Sequence, residues 1–170
     1  LEAMEPYFTE HYANPASKAN HSYGHKAHSR MEQAREQAAD AIGARAGGEP
    51  VAKTIVFTSG ATESDNFAVR GLARYAKEND LGTHIITSET EHEAILESCR
   101  VLEDAGCEVT YLPVDEYGQV DPESVREAIR DDTVLVSIMA ANNEIGTIAP
   151  ITEIGEITSQ NDVLFHTDAV

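Results

Sequence analysis

Residues 133–140, TVLVSIMA, form a continuous apolar run that leaves no polar face for water. A strand of this kind has to be covered on both sides, which puts it in the middle of a parallel sheet with helices packed on each face. The neighbouring segments agree. Apolar strand-like runs at 54–58, 84–87, 108–112 and 163–166 alternate with helical patterns at 61–78, 92–105, 121–130 and 151–160. Repeated strand-helix alternation argues an α/β fold with a mostly parallel sheet flanked by helices. Local signals mark the ends. Gly106 is placed to cap the helix before it, and Asp121-Pro122 starts the next one with a capping carboxylate followed by proline at the first helical position.

The N-terminal part reads differently. Residues 1–24 are rich in turn signals, with Asn14-Pro15 and Tyr23-Gly24, and are expected to form a loop region lying over a surface. Residues 25–170 are expected to make the α/β domain. A helix over 24–44 carries Ala27, Met31, Ala34, Ala38, Ala41 and Ile42 on one stripe, a small-residue face suited to packing. Residues 47–50, GGEP, read as a loop. His11, His21, His25 and His28 have no Asp or Cys at a recognisable ligand spacing, so no metal is assigned to them.

The stretch 54–66, TIVFTSGATESDN, joins a strand to a helix through Ser59-Gly60-Ala61-Thr62. Unpaired N–H groups and the positive end of the helix dipole make such a turn a seat for an anion, with Ser59 and Thr62 as further hydroxyl donors. The same turn also closes strands that hold no ligand. Three more polar clusters, at 87–92, 142–144 and 166–168, follow apolar strands. Ligands of open α/β sheets collect at the carboxyl ends of the strands, so four such clusters point to one pocket for something planar and charged. A dinucleotide fingerprint is a poor match, since its first turn wants three glycines and this one has a single glycine.

With 30 acidic against 12 basic residues the chain carries a formal charge of −18, which disfavours nucleic acid and acidic lipid as partners. It also suits a high-salt setting. No apolar run approaches membrane-spanning length, and the two cysteines, Cys99 and Cys107, form no disulfide framework. Both ends of the chain read as cut from something larger, and a soluble cytoplasmic protein is expected.

The motifs TSGATESDN, TSETEHEAI, ANNEIGT and HTDA, in this order and behind the loop ANPASKANHSYG, resemble the cysteine desulfurase and selenocysteine lyase family. These are pyridoxal-phosphate-dependent enzymes among the class V aminotransferases. The resemblance covers nearly the whole chain and corresponds to the N-terminal half of the fold type I large domain. It implies pyridoxal 5′-phosphate as cofactor and L-cysteine as substrate. L-Alanine and an enzyme persulfide for iron–sulfur cluster or thiocofactor synthesis would be the products. A homodimer and a scaffold or sulfur-acceptor partner are implied as well.

Residue by residue, the resemblance gives Ala61 and Thr62 to the cofactor phosphate and His92 to the ring face, with a part in proton transfer. Asn143 falls to the ring oxygen and Asp168 to the pyridine nitrogen, while Asn142 and Glu144 would shape the turn. The family's Schiff-base lysine and persulfide cysteine have no match here. Lys18, Lys26, Lys53 and Lys77 lie outside the lysine motif, and Cys99 and Cys107 outside the cysteine motif. The 170 residues alone are therefore expected to be inactive. Two other readings stand beside the desulfurase: a selenocysteine lyase or another class V enzyme, and a non-catalytic dimerisation or scaffold-binding piece.

Overall fold

The computed structural model describes residues 2–46 and 49–170, so of the loop expected at 47–50 the first two residues lie outside the described residues, while the last two are strand. The chain divides into two compact units, Leu1–Phe57 and Thr58–Val170.

In the first unit, a short helix α1 (Pro6–Thr9) and a 3-10 turn at Pro15–Ser17 precede α2 (Ser22–Ala41). The His21 ring caps α2 by accepting from the Gly24 N–H at 2.9 Å. The expected stripe on α2 is only partly used. Gly24 and Ala39 are its buried residues, whereas Ala34, Ala41 and Ile42 are exposed. Two-residue strands β1 (Arg45–Ala46) and β2 (Glu49–Pro50) pair antiparallel.

The strand expected at 54–58 is not formed. Ala52–Thr54 make a 3-10 turn, and 55–58 have no ladder partner among the described residues. The backbone explains why. The Ile55 N–H is spent on the Ala52 carbonyl at 3.0 Å, and the Ile55 carbonyl accepts from Arg35 Nε at 3.1 Å. Arg35 also stacks 5.0 Å over the Phe57 ring. A β-branched run is a strand only where a neighbour supplies the ladder.

The second unit follows the expected alternation closely. Helix α3 (Ala61–Glu78) leads to β3 (His84–Ser88), α4 (Glu93–Asp104) and β4 (Glu108–Leu112). Then come α5 (Pro122–Ala128), β5 (Thr133–Ser137), α6 (Ile151–Gln160) and β6 (Leu164–His166). The four long strands form one parallel sheet in the order β4-β3-β5-β6. Each predicted cap is in place. Asp121 accepts from the Glu123 N–H at 3.0 Å, and Gly106, at φ 90°, lets Cys107 N–H reach the Leu102 carbonyl at 2.9 Å.

Alternation along the central strands feeds two cores. Ile85 and Leu135 face one side with Val69, Ala73, Ile95 and Cys99; Ile86, Val136 and Ile138 face the other with Val125, Ile154 and Ile157. All five residues of β3 are buried. Each buried Ile or Val contributes roughly 1.5–3 kcal/mol. The largest side chains of α3 point away: Phe67 and Tyr75 are exposed, while Asp65, Val69, Ala73 and Ala76 form its inner stripe. Small residues there let α3 lie close to α4. Among the described residues no helix is long and apolar enough to cross a membrane.

At the amino ends of the strands His84 bridges Thr133 Oγ1 at 2.7 Å and Thr110 Oγ1 at 2.8 Å, tying β3 to both neighbours. Gly82, just before, has φ 137°, and a Cβ there would lie 2.3 Å from the Asp132 carbonyl oxygen. That oxygen accepts the His84 N–H at 3.1 Å. Gly82→Ala is therefore expected to cost roughly 2 kcal/mol or more. It should lower the denaturation midpoint, and an unchanged midpoint would show that the turn yields freely.

Candidate functional site

Three polar groups of the second unit converge where the sheet order turns back on itself. Chain order carries β3 outward to β4 and then back across to β5 and β6, so the crevice of the sheet lies at the carboxyl ends of β3 and β5. Into it run the turn Glu89-Thr90-Glu91-His92 after β3, the loop 138–148 after β5, and Thr167-Asp168 after β6. The amino end of α3 joins them through electrostatics: Asp65 in its second turn senses both Asp168 and His92.

The start of α3 is an uncapped helix N-terminus, but it follows no strand and one of its two expected hydroxyl donors is spent. No side chain caps the helix, and a Cβ built on Gly60 would meet nothing within 4 Å, so there is space over the turn. Ala61 and Thr62 are the first two helical residues, and the Thr62 hydroxyl has no partner among the described residues. Ser59 is not a free donor. Its N–H and its hydroxyl both donate to Glu63 Oε2, each at 2.6 Å, and these bonds hold the Glu63 carboxyl below its usual range.

His92 is the N-cap of α4. Its Nδ1 accepts from the Ala94 N–H at 3.1 Å, so in the neutral ring the proton sits on Nε2, and the ring itself is exposed. Asn142 builds the next loop: its Oδ1 accepts from the N–H groups of Glu144 and Ile145 at 3.0 and 3.1 Å, and its Nδ2 donates to the Thr90 carbonyl at 2.9 Å. Neighbouring Asn143 is exposed and free of partners among the described residues. Asp168 is half-buried and fixed by its backbone, whose carbonyl accepts the Ala140 N–H at 2.7 Å. Its Oδ1 accepts from Val170 N–H at 3.1 Å.

Behind these lie three further ionisable groups. Asp65 is buried, and burial followed by the charge of Asp168 raises its pKa, with His92 partly offsetting. His166 accepts or donates to Ser137 Oγ at 2.9 Å through Nδ1, and its Nε2 lies 3.7 Å from Asp65 Oδ1. Burial drives the two groups toward neutrality from opposite sides, His166 downward and Asp65 upward, so the contact is not a strong ion pair. Glu91 is 6% exposed, with Oε1 accepting from Ser88 Oγ and from the Met139 N–H, each at 2.9 Å. Burial pushes its pKa up to about 7, against the pull of these two bonds, with Asp168 and Asp65 adding to the rise. Asp65 Oδ2, Glu91 Oε2 and Thr167 Oγ1 are buried with no partner among the described residues.

The sequence profile described as aminotransferase class-V matches residues 1–170. The chain belongs to the class-V aminotransferase family. It is 55% identical over all 170 residues to the cysteine desulfurase IscS of Methanosarcina thermophila, of which it covers 40%. The chain thus spans about 40% of the length of the curated relatives it matches. Among solved structures it resembles SspA in complex with cysteine, at 42% identity and TM-score 0.87, covering 99% of this chain and 46% of that one. A NifS-like protein aligns at 39% identity and TM-score 0.88, over 99% of this chain and 44% of that one.

In this class-V chain the four-stranded parallel sheet with helices on its faces is the expected fold. The motif residues His92 and Asp168 follow β3 and β6, and Asn143 lies on the loop after β5, the strand between those two. Sequence reasoning did not single out Asp65, Glu91 or His166. Asp65 had a signal, since it falls on the inner stripe with Val69, Ala73 and Ala76. Within the first unit, His21 caps α2, and His28 Nε2 sits 3.2 Å from Lys18 Nζ. Among the described residues no three His, Cys, Asp or Glu groups are arranged to hold a metal.

The raised pKa of Glu91 has a stability consequence. The folded state holds the proton more tightly than the unfolded state, so this carboxyl favours folding at low pH and loses that contribution as pH rises through about 7. Glu91→Gln removes the titration. The difference in stability between the variant and the parent sequence is expected to grow in the variant's favour from pH 5 to pH 8, read by denaturation at each pH; a pH-independent difference would contradict it.

Proposed function

We propose that the whole protein binds pyridoxal 5′-phosphate over these strand ends. On this reading it acts as a cysteine desulfurase, taking sulfur from L-cysteine and leaving L-alanine and a protein-bound persulfide. The supporting observation is the convergence of a helix N-terminus with open space above it, an exposed imidazole and a half-buried carboxylate, in a sequence 55% identical to a cysteine desulfurase.

The residues present fit the group. The free N–H groups of α3 and the Thr62 hydroxyl suit a phosphate monoester, with Ala61 and Thr62 as its holders. The rest of the site has the opposite character. Asp65, Glu91 and Asp168 form an acidic surplus with two buried orphan carboxylate oxygens, which suits a cationic ring nitrogen and not a second anion. Asp168 would hold the proton on that nitrogen, Asn143 would donate to the ring oxygen, and His92 would lie on the ring face. When bound, the cofactor supplies an electron sink for the substrate carbon. His92, with Nδ1 held by Ala94 N–H, has Nε2 available to give or take a proton at the substrate.

Other steps fall to residues outside these motifs. Cys99 and Cys107 are both buried, and burial pushes the Cys99 thiol up to about 12, so neither is suited to receive sulfur. Lys77 stands in the last turn of α3, about 24 Å along the helix axis from Ala61 at 1.5 Å per residue, and donates to the Ala105 carbonyl. It is not suited to hold the cofactor. Residues 25–170 are read as part of the large domain, with 1–24 as a preceding loop region. The proposal extends to a cytoplasmic homodimer delivering sulfur for iron–sulfur cluster or thiocofactor synthesis through a scaffold or acceptor protein.

The test is a visible-absorbance titration of the whole protein with pyridoxal phosphate, together with assay of alanine and sulfide from L-cysteine. Both signals are expected, and cofactor binding without either product would sink the desulfurase reading. Asp168→Ala should lower turnover at least about 100-fold, the scale of one preorganised electrostatic contact, while Cys99→Ala changes it less than about twofold.

A further inference from the structure

The two arms of the site that would meet the ring come from different strands, and a buried carboxyl is one of two side chains that join them. Glu91 is the residue before His92, at the mouth of β3, and its Oε1 receives the Met139 N–H at the mouth of β5 at 2.9 Å. Ser88 Oγ, at the end of β3, donates to the same oxygen at 2.9 Å. A second tie runs alongside, where Asn142 Nδ2 donates to the Thr90 carbonyl at 2.9 Å. Both ties cross the gap between β3 and β5, the point at which the sheet order reverses. Among the described residues no backbone ladder spans this gap beyond the paired residues Thr87 and Ser137.

We propose that Glu91 is a positioning residue of the site: one carboxylate oxygen locks the turn that carries His92 to the strand end that leads into Asn143. The inference rests on the cofactor reading above. A carboxyl 6% exposed, with its other oxygen orphaned, is an expensive way to fill space. Its geometry accounts for the choice. The Met139 N–H lies just past the end of the ladder, and a buried acceptor reaching from the neighbouring strand satisfies it while fixing the distance between the two loops. An amide at this position keeps that acceptor. A methyl group does not.

The groups bonded to Glu91 are the Ser88 hydroxyl at the end of β3 and the Met139 N–H past the end of β5, with Asp168 beyond β6 and Asp65 on α3 as the charges it senses. None of them replaces its contact to Met139. The phosphate seat on α3 is held by other means, through Ser59 and Glu63. Loss of Glu91 should therefore act on the ring end of the ligand and spare the phosphate end.

The experiment uses the whole protein and two probes, pyridoxal phosphate followed by absorbance and inorganic phosphate followed by the thermal shift it produces. Glu91→Ala is expected to raise the dissociation constant for pyridoxal phosphate about tenfold or more, the scale of a lost hydrogen bond to a charged buried acceptor, with the phosphate shift unchanged. Glu91→Gln, which retains the acceptor, is expected to stay within about threefold of the parent for both probes. Ser88→Ala removes one donor and should fall between the two. Loss of both probes together in Glu91→Ala would mean a general structural defect and overturn the proposal, as would a Glu91→Gln no better than Glu91→Ala. Should Glu91→Ala not fold, parent-like affinity in Ser88→Ala overturns it. A parent protein that binds no pyridoxal phosphate brings down the cofactor reading and this inference together, whereas a binding parent with an unaffected Glu91→Ala brings down the inference alone.

Discussion

Strands β3 and β5 are paired on both edges and covered on both faces, so between their ends the backbone has no access to water and the side chains have no choice but to be apolar or internally bonded. Everything polar that the chain must present is displaced to the strand ends. The two ends are treated differently. At the amino ends His84 closes on two threonines, and Gly82 lets the chain pass against Asp132, which leaves a sealed seam. At the carboxyl ends the ladder stops short, loops diverge, and buried oxygens remain without partners. Unsatisfied polarity on one edge of an otherwise saturated sheet is what makes that edge a site.

The same asymmetry governs the charges. A chain of net charge −18 keeps nearly all of its carboxylates in solvent, where they pair with arginines of neighbouring turns at little energetic consequence. Asp65 and Glu91 are the exceptions, and burial raises both, with Asp168 adding its repulsion. Three acids that sense one another are mutually unfavourable in the absence of a cation, so a ligand of the proposed kind would be expected to bring its protonated nitrogen to Asp168 and its phosphate to the helix. The arrangement separates the positive and negative ends of one ligand onto the two kinds of polar edge that a parallel α/β sheet can offer: a helix N-terminus and a strand-end carboxylate.

Much of this was legible in the sequence because the decisive signals are local. Asp121-Pro122 and Gly106 set helix limits through their own backbone chemistry, and the stretch 133–140 could be satisfied only by a covered central strand, of which Thr133–Ser137 is the paired part. The helix at 61–78 was legible in its extent but not in its facing. Its aromatic residues, Phe67 and Tyr75, are exposed, and the structure buries the narrow stripe through Val69, Ala73 and Ala76. Close approach to α4 selects small residues, so hydrophobicity alone does not tell which side is inside. The segment 54–58 was misread for a different reason. Its β-branched and aromatic composition states a preference, but a strand is a relation between two segments, and Arg35 and Ala52 occupy the backbone groups of Ile55 that a ladder would need.

The candidate site shows the same division between what a residue is and what it is next to. His92 and Asp168 could be picked out because each follows an apolar strand within a recognisable motif. Glu91 could not, although it lies beside His92, because nothing in TSETEHEAI distinguishes the carboxyl that turns inward from those of Glu89 and Glu93, which stay in solvent. Its importance arises from Met139, 48 positions along the chain, whose N–H falls just beyond the last ladder bond and donates to Glu91 Oε1. Register between parallel strands is fixed only after the intervening helix has packed, so the need for an acceptor at that point is a property of the folded sheet. A buried carboxyl that meets such a need costs stability in its charged form and returns it as a fixed spacing between two loops, and fixed spacing is what a planar ligand held from both sides requires.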